Sequence, residues 1–308
     1  MSIQNINLPE PNGVLIINKH SGVSSHDIVN KIRRLYGTKK VGHAGTLDPL
    51  ATGVLVVLLG RAAKASEYLM GCGKVYRAGL RLGITTDTED ITGNVLTVTE
   101  DIPDKDAVID AARGFIGKTE QIPPMYSALK VGGKKLYDLA RAGKVVEREP
   151  RQIEISSLEI APTDDEKEYI LTVACSGGTY IRTLCADIGK VLGCGGVMSS
   201  LERIEACGYP IKISHAVSEL EEMDMDARLS LLMPVETLFA ELPSVDLNDF
   251  FERLCRSGCV IYQKKIGSAF ENGTRVRICD KSGHFFALGE VREFDEGSAI
   301  KAIKLFEL

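Results

Sequence analysis

The stretch Val41 to Gly60, VGHAGTLDPLATGVLVVLLG, sets one carboxylate, Asp48, in a loop with Gly42, Gly45, Gly53 and Pro49. Glycines allow torsions and close approaches that side chains forbid, and Pro49 biases Asp48 away from helical geometry. Leu47 and Leu50 give the carboxylate apolar company, so its charge needs a cation or donated hydrogen bonds. So partnered, it could act as a base or a nucleophile; taken alone, Asp-Pro is also a common turn initiator. Two other sets have chemical potential. Lys74-Val75-Tyr76-Arg77 puts an aromatic among cations, and Cys175 to Leu184, CSGGTYIRTL, puts Arg182 near a helix start, where the dipole favours anions. A small-molecule α/β enzyme using the glycine loop at 42–45 for phosphate is the weakest reading, because the loop has neither GxxxxGK nor GxGxxG spacing and Asp48 would repel the ligand.

Hydrophobic periodicity supplies the frame for these residues. Val54 to Leu59 is apolar without alternation, as in a central strand covered on both faces. Gly13 to Asn18 reads as a first strand. A turn over Lys19 to Ser25 leads to a helix from about Asp27 to Tyr36, capped by Ser24 or Ser25, with Ile28, Val29, Ile32 and Leu35 as its stripe. A short helix is expected over Ala62 to Met70, and strands over Lys74 to Leu82 and Val95 to Thr99 around an acidic turn. A helix capped near Asp104 follows, then a strand pair over Ile153 to Ile160 and Tyr169 to Cys175, and a helix over Thr179 to Leu192. Residues 117–150, with Pro123-Pro124, Gly132-Gly133 and a basic helix around Leu136 to Ala142, offer little to bury and read as a functional surface insertion. An acidic helix or linker covers 214–226. Beyond Pro243, strands over Thr274 to Cys279, His284 to Leu288 and Ala299 to Leu305 are separated by glycines, which suggests a small β-barrel-like domain.

A chain of 308 residues suits two domains. The expected division is a leader at 1–12, a catalytic domain at 13–235 and a small domain at 243–308. No apolar run is long enough for a membrane span or placed as a secretory signal, so no membrane contact and a cytoplasmic setting are expected. Eight cysteines without a CxxC pair read as reduced core thiols, with neither zinc nor a disulfide framework. The net charge of −5 hides segregated signs. Cationic runs at 27–40, 61–81 and 130–151 bracket the Asp48 loop, while acids gather at Asp87, Glu89 and Asp90, at 164–168 and at 219–226. Three basic runs around one loop fit a nucleic-acid face.

His43-Ala44-Gly45-Thr46-Leu47-Asp48-Pro49, continued by Ala51, Gly53 and Leu55, resembles the HxGxLDPxAxGxL signature of the TruB family of pseudouridine synthases. Further motifs follow in the family's order. Lys74 with Tyr76 resembles its KxY motif, and Cys175 to Leu184 its (C/S)xxGTYIRxL motif. Gln121 to Lys130 with Gly132, Gly133 and Tyr137 resembles QxPPxYSAxKxxGxxxY. Asn18-Lys19, Gly22 and Ser24 match KPxGxxS, and Leu201 with Arg203 matches part of LRRxxxG. Two positions depart: His20 stands where the family has Pro, and Glu202 where it has Arg.

The resemblance implies an α+β catalytic domain on a mixed, mainly antiparallel sheet, with an RNA-binding insertion and a small β-barrel-like PUA domain. It implies Asp48 as the catalytic carboxylate, attacking or deprotonating the ribose, Tyr76 stacked on the base, and Arg182 as a two-pronged partner of Asp48. His43 would enter the RNA where the target base has left, and Tyr180, Leu184 and Leu201 would wall the pocket. Lys19, Gly45, Leu47, Lys64 and Lys130 are further substrate-binding candidates, with Lys134, Lys135 and Arg141 on the RNA surface of the insertion. The implied reaction turns uridine into pseudouridine in the T loop of tRNA, at position 55 of elongator tRNAs, by a monomer needing no metal and no cofactor. A tRNA-folding role, with or without turnover, is the reading from a different class.

Overall fold

The computed structural model describes residues 10–127 and 129–307, and of Lys130 and Lys135 only the backbone. Most of the expected leader lies outside the described residues. Strand Gly13–Lys19 (β1) buries Val14 to Ile17 completely, as its unbroken apolar run demands. Helix Ser25–Leu35 (α1) starts at a capping box, in which the Ser24 hydroxyl accepts from Asp27 N and the Asp27 carboxylate accepts from Ser24 N. Val41–His43 (β2) leads into the Asp48 loop, and Thr52–Leu59 (β3) leaves it fully buried from Gly53 onward. The helix expected at 62–70 is a 3-10 turn, Gly60–Ala65, running into the short helix Ser66–Leu69 (α2).

Lys74–Leu82 (β4) crosses the sheet, followed by the hairpin Ile84–Thr86 (β5) and Val95–Val98 (β6), then by helix Lys105–Arg113 (α3) capped by Asp104. Residues 117–121 are not part of the insertion. Gly117–Gln121 (β7) is a polar edge strand whose backbone pairs with residues 151–155. The insertion proper holds the two-residue strands Lys130–Val131 (β8) and Lys134–Lys135 (β9) and helix Leu136–Arg141 (α4). Arg151–Pro162 (β10) and Glu168–Cys175 (β11) are the expected pair, and helix Ile181–Leu192 (α5) ends at Gly193 with φ of 76°.

Gly196–Ala206 (β12) carries no strand signal in the sequence, yet it lies between β3 and β4 in the centre of the sheet. Two bulges against β4, between Met198 and Ser200 and between Arg203 and Glu205, break the alternation that would have revealed it. Tyr209–Pro210 (β13) folds back on β12, His215–Ala216 (β14) joins β1, and Val217–Glu222 (α6) and Met225–Ser230 (α7) fill the acidic segment. The ten-stranded sheet has the order β14-β1-β3-β12-β4-β11-β10-β7, with β2 on β3 and β13 on β12; it is mixed and mainly antiparallel.

The terminal part is a five-stranded sheet, in order β15-β17-β18-β19-β16, built from Ser244–Asp246 (β15), Ile261–Tyr262 (β16), Arg275–Cys279 (β17), Phe285–Phe294 (β18) and Gly297–Leu305 (β19). It also holds a helix the sequence reading did not mark, Asp249–Arg256 (α8), whose cap Asn248 accepts from Phe250 N and Phe251 N. Phe239, Phe285 and Phe306 pack within 6 Å of one another where this sheet meets the body.

The expectation of reduced thiols needs one correction. Cys72 and Cys207 are joined as a disulfide, because the turn before β4 and the turn after β12 lie side by side, with Cys207 N donating to Gly73 O. The other six cysteines are free.

Candidate active site

β1 pairs with Gly53 to Leu59 of β3 on one side. On the other side β2 pairs with Val57 to Leu59 and β12 with Thr52 and Gly53. The loop from Ala44 to Ala51 therefore leaves the sheet in the gap between two partners of one strand. Its backbone is held from several directions. Ser25 Oγ accepts from Leu47 N at 2.8 Å and donates to Leu47 O at 3.0 Å. Pro49 O accepts from Gly22 N at 2.8 Å, and Asp48 O from Ala51 N at 3.0 Å. Arg203, fully buried, donates to the carbonyls of Gly45, Thr46 and Val54.

The cation for Asp48 is Arg182, with Nε 2.9 Å from Asp48 Oδ2; its side chain is 5% exposed, that of Asp48 37%. A buried guanidinium thus holds a carboxylate that still faces solvent. The expected two-pronged pairing is not formed, because the other nitrogens are engaged elsewhere. Nη1 donates to Thr88 O at 3.1 Å and lies 3.8 Å from Asp90 Oδ2, and Nη2 donates to Tyr126 O at 2.8 Å. Asp90 is itself buried and accepts from Thr88 Oγ1, Thr92 N and Thr92 Oγ1. In the sequence it belonged to an acidic turn set apart from the basic face. Threonines flanking an aspartate in DTEDIT were the available sign that its charge is spent internally.

Tyr76 projects from β4 opposite Arg203 of β12, almost wholly buried. Burial pushes its phenol up; Arg203 opposes that shift and Asp48 adds to it. Leu47, Leu184 and Leu201 belong to the same apolar cluster as Tyr76. Tyr180 is half-buried at the start of α5, and burial raises its phenol too. α5 has no side-chain cap of its own. Gln121, at the end of β7, accepts from Tyr180 N at 2.8 Å and donates to Tyr180 O at 3.0 Å, so the root of the insertion is bolted to the helix that carries Arg182.

Several candidates occupy positions the sequence could not specify. Lys19 is completely buried, and its ammonium donates to the carbonyls of His20, Val23 and Pro49, steadying the turn despite the missing proline. Burial lowers it to about 8, against the pull of Asp48. Lys74, lowered by burial to about 8, donates to Cys72 O beneath Gly45. Gly45 takes φ of 92°, open to glycine at no cost. His43 ends β2 with Nδ1 buried and unpartnered, and burial, Arg203 and His26 lower its pKa. Lys64 is not brought to Asp48; it donates to Leu305 O at 3.1 Å and lines a cleft of about 540 Å³ with Lys39, Lys40 and Arg61. Lys134 is exposed on the insertion, and Arg141 lies 5.6 Å from the Tyr137 ring. The side chains of Lys130 and Lys135 lie outside the described residues. Glu202 faces Arg77 at 3.9 Å at the surface. Among the described residues no group of three or more His, Cys, Asp or Glu could hold a metal ion.

Comparison with known proteins bears on this arrangement. Residues 33–181 match the model of the TruB family pseudouridylate synthase N-terminal domain, and residues 182–240 that of the tRNA pseudouridylate synthase B C-terminal domain. Proteins named tRNA pseudouridine synthase B are similar over nearly the full length. The one from Alkaliphilus oremlandii is 40% identical over 96% of this chain and 98% of its own, and the one from Clostridium kluyveri 39% identical over 96% and 99%. Among solved structures, a chain of the Cbf5-Nop10-Gar1 complex aligns with a TM-score of 0.74 at 25% identity, covering 96% of this chain and 85% of that one. With both family models in tandem and full-length relatives at this identity, the chain belongs to the TruB family of pseudouridine synthases.

Proposed function

We propose that the chain isomerises uridine to pseudouridine in the T loop of tRNA, at position 55, with Asp48 as its essential group. Its standing as a tRNA pseudouridine synthase rests on the family; the site and the residue roles are this proposal. The N-glycosidic bond breaks, uracil turns within the pocket, and C5 joins the ribose carbon that N1 has left. Asp48 attacks or deprotonates the ribose. Arg182 orients it, and Asp90 shares the guanidinium charge. Tyr76 stacks on the base, and its oxygen serves the removal of the C5 proton that completes the isomerisation. Tyr180, Leu184 and Leu201 keep the detached uracil from escaping. His43, uncharged, fills the place in the RNA that the base vacates.

Extracting a base costs a few kcal/mol of stacking, which contacts to the RNA backbone must offset. Lys134 and Arg141 on the insertion contribute these, in a binding mode that reads stem-loop shape and weakens with salt. The enzyme works as a monomer in the cytoplasm, with residues 13–235 as the catalytic domain and 243–308 as a PUA-like RNA-binding domain. The observation that carries the proposal is the Arg182–Asp48 pair, a buried cation holding a carboxylate that remains 37% exposed. A protein that only bound RNA would gain nothing from an acid facing phosphates. The test is incubation of purified protein with an unmodified full-length tRNA transcript, without nucleotide, followed by mapping of pseudouridine. Conversion at the T-loop uridine is expected. Conversion only in another loop would overturn the site, and tight binding without conversion would favour a folding factor.

A further inference from the structure

We infer that Arg203 is a positioning residue for the reaction: it ties the Asp48 loop to the strand that carries Tyr76 and fixes a positive charge beside the phenol. This rests on the proposed roles of Asp48 and Tyr76. The resemblance gave no role to this residue. Arg203 is 0% exposed, so it does not reach an RNA backbone.

Its three donors converge on the two ends of one loop. Nε reaches Val54 O at 2.7 Å on β3, while Nη2 and Nη1 reach Gly45 O at 3.1 Å and Thr46 O at 3.4 Å on the incoming arm. A planar fork of this kind fixes direction as well as distance, which a lysine cannot do. Its backbone is equally constrained: β12 runs so close to β3 that a Cβ at Gly53 would lie 2.3 Å from Arg203 O. On the other side Arg203 stands directly opposite Tyr76 in the β4–β12 ladder, where paired side chains share one face of the sheet. One residue therefore links the Asp48 loop, β3 and the strand that carries Tyr76.

Its cost argues that it serves more than packing. A buried guanidinium satisfied by neutral carbonyls is expensive, and an apolar residue of similar volume would fill a core at least as well. Here the cost is raised further by Lys19 and Lys74, both of which feel the Arg203 charge as a repulsion. The groups facing Tyr76 are Arg203 from β12, the Cys175 thiol from β11, raised by burial to about 11, and Asp48 from the loop. Of these, Arg203 alone favours negative charge on the phenol oxygen; burial, the thiol and Asp48 all oppose it.

The test compares wild type with Arg203→Met, Arg203→Lys and Tyr76→Phe on one T-arm RNA, measuring single-turnover rate between about pH 6 and pH 11.5, RNA affinity and urea stability. For Arg203→Met we expect RNA affinity within about threefold of wild type, a rate at neutral pH lower by about 100-fold or more, and a rising limb displaced upward by about one pH unit. Arg203→Lys keeps the charge and loses the fork, so its rate falls about tenfold while the limb stays in place. Tyr76→Phe removes the limb. An unmoved limb in a folded Arg203→Met, or a rate loss matched by an equal affinity loss, would overturn the inference. If Arg203→Met does not fold, Arg203→Lys decides: a limb that shifts with the charge retained, or a rate equal to wild type, sinks it. Absence of turnover in wild type would instead fail the functional proposal.

Discussion

The Asp48 loop and the insertion after Gln121 are both irregular segments of the same body, and they are held in opposite ways. The loop from Ala44 to Ala51 takes its constraints from outside itself: from Lys19, Gly22 and Ser25 in one stretch of the chain and from Arg203 in another. The insertion is tied to the body near its start by Arg182 donating to Tyr126 O, and its two ends are tied to each other by Arg148 donating to Pro123 O. Further out it bonds to itself, with Leu136 N to Leu129 O and Tyr137 N to Ser127 O, and Val145 is 82% exposed. Bond making and breaking needs reacting atoms held to fractions of an ångström, so the carboxylate sits where buried cations immobilise the backbone. The RNA contacts proposed for the insertion need reach and charge, which a lightly tethered segment supplies.

The comparison can be broken at either end. The largest effect is expected from Arg182→Met, which should slow single turnover by about a thousandfold or more while RNA affinity stays within about threefold; an equal loss in both would place Arg182 on the binding side. Ser25→Ala removes both bonds to Leu47 and should slow turnover by about tenfold to 100-fold at unchanged affinity, as two lost buried hydrogen bonds imply. Lys134→Ser with Arg141→Ser should do the reverse. Affinity should fall about tenfold near 0.1 M salt and the salt slope flatten by about one to 1.5, with the saturated rate unchanged. An unaltered slope would remove the insertion from the RNA surface.

The smallest effect concerns stability. Lys74 has its pKa lowered to about 8 by burial, so between that value and its unfolded one the unfolded chain holds the extra proton. Stability therefore rises with pH through this window. Wild type should gain on Lys74→Met by about 2 kcal/mol between pH 7 and pH 10 in urea titrations, each unit of pKa difference being worth about 1.4 kcal/mol. A gap that stays constant would mean that Lys74 is not desolvated.

The proposed reacting set comes from the sequence, because the family's motifs name it and Asp48 stands in a loop whose glycines and proline signal an irregular backbone. The support was not legible. Lys19 and Lys74 read as cations for RNA and Arg203 only as part of a motif, since nothing local shows that carbonyls from distant segments will surround them. Gln121 and Asp90 were polar residues in polar stretches, and only the approach of β7 to α5, and of the acidic turn to Arg182, gives them partners. The bulges of β12 hid the strand that carries Arg203, and β7 looked like insertion because an edge strand can be polar on both faces. Ser25 was offered only as a helix cap, whereas Ser24 caps and Ser25 holds Leu47.

The central claim is that Asp48 performs the chemistry while other residues hold the RNA. The most direct test measures pseudouridine formation and RNA affinity in parallel, for wild type and Asp48→Asn, on one unmodified T-arm stem-loop. The account predicts that wild type converts the uridine, and that Asp48→Asn forms no detectable product while binding within about threefold as tightly. Turnover by Asp48→Asn within about tenfold of wild type would contradict it, since one of the two carboxylate oxygens would then be dispensable to the reaction.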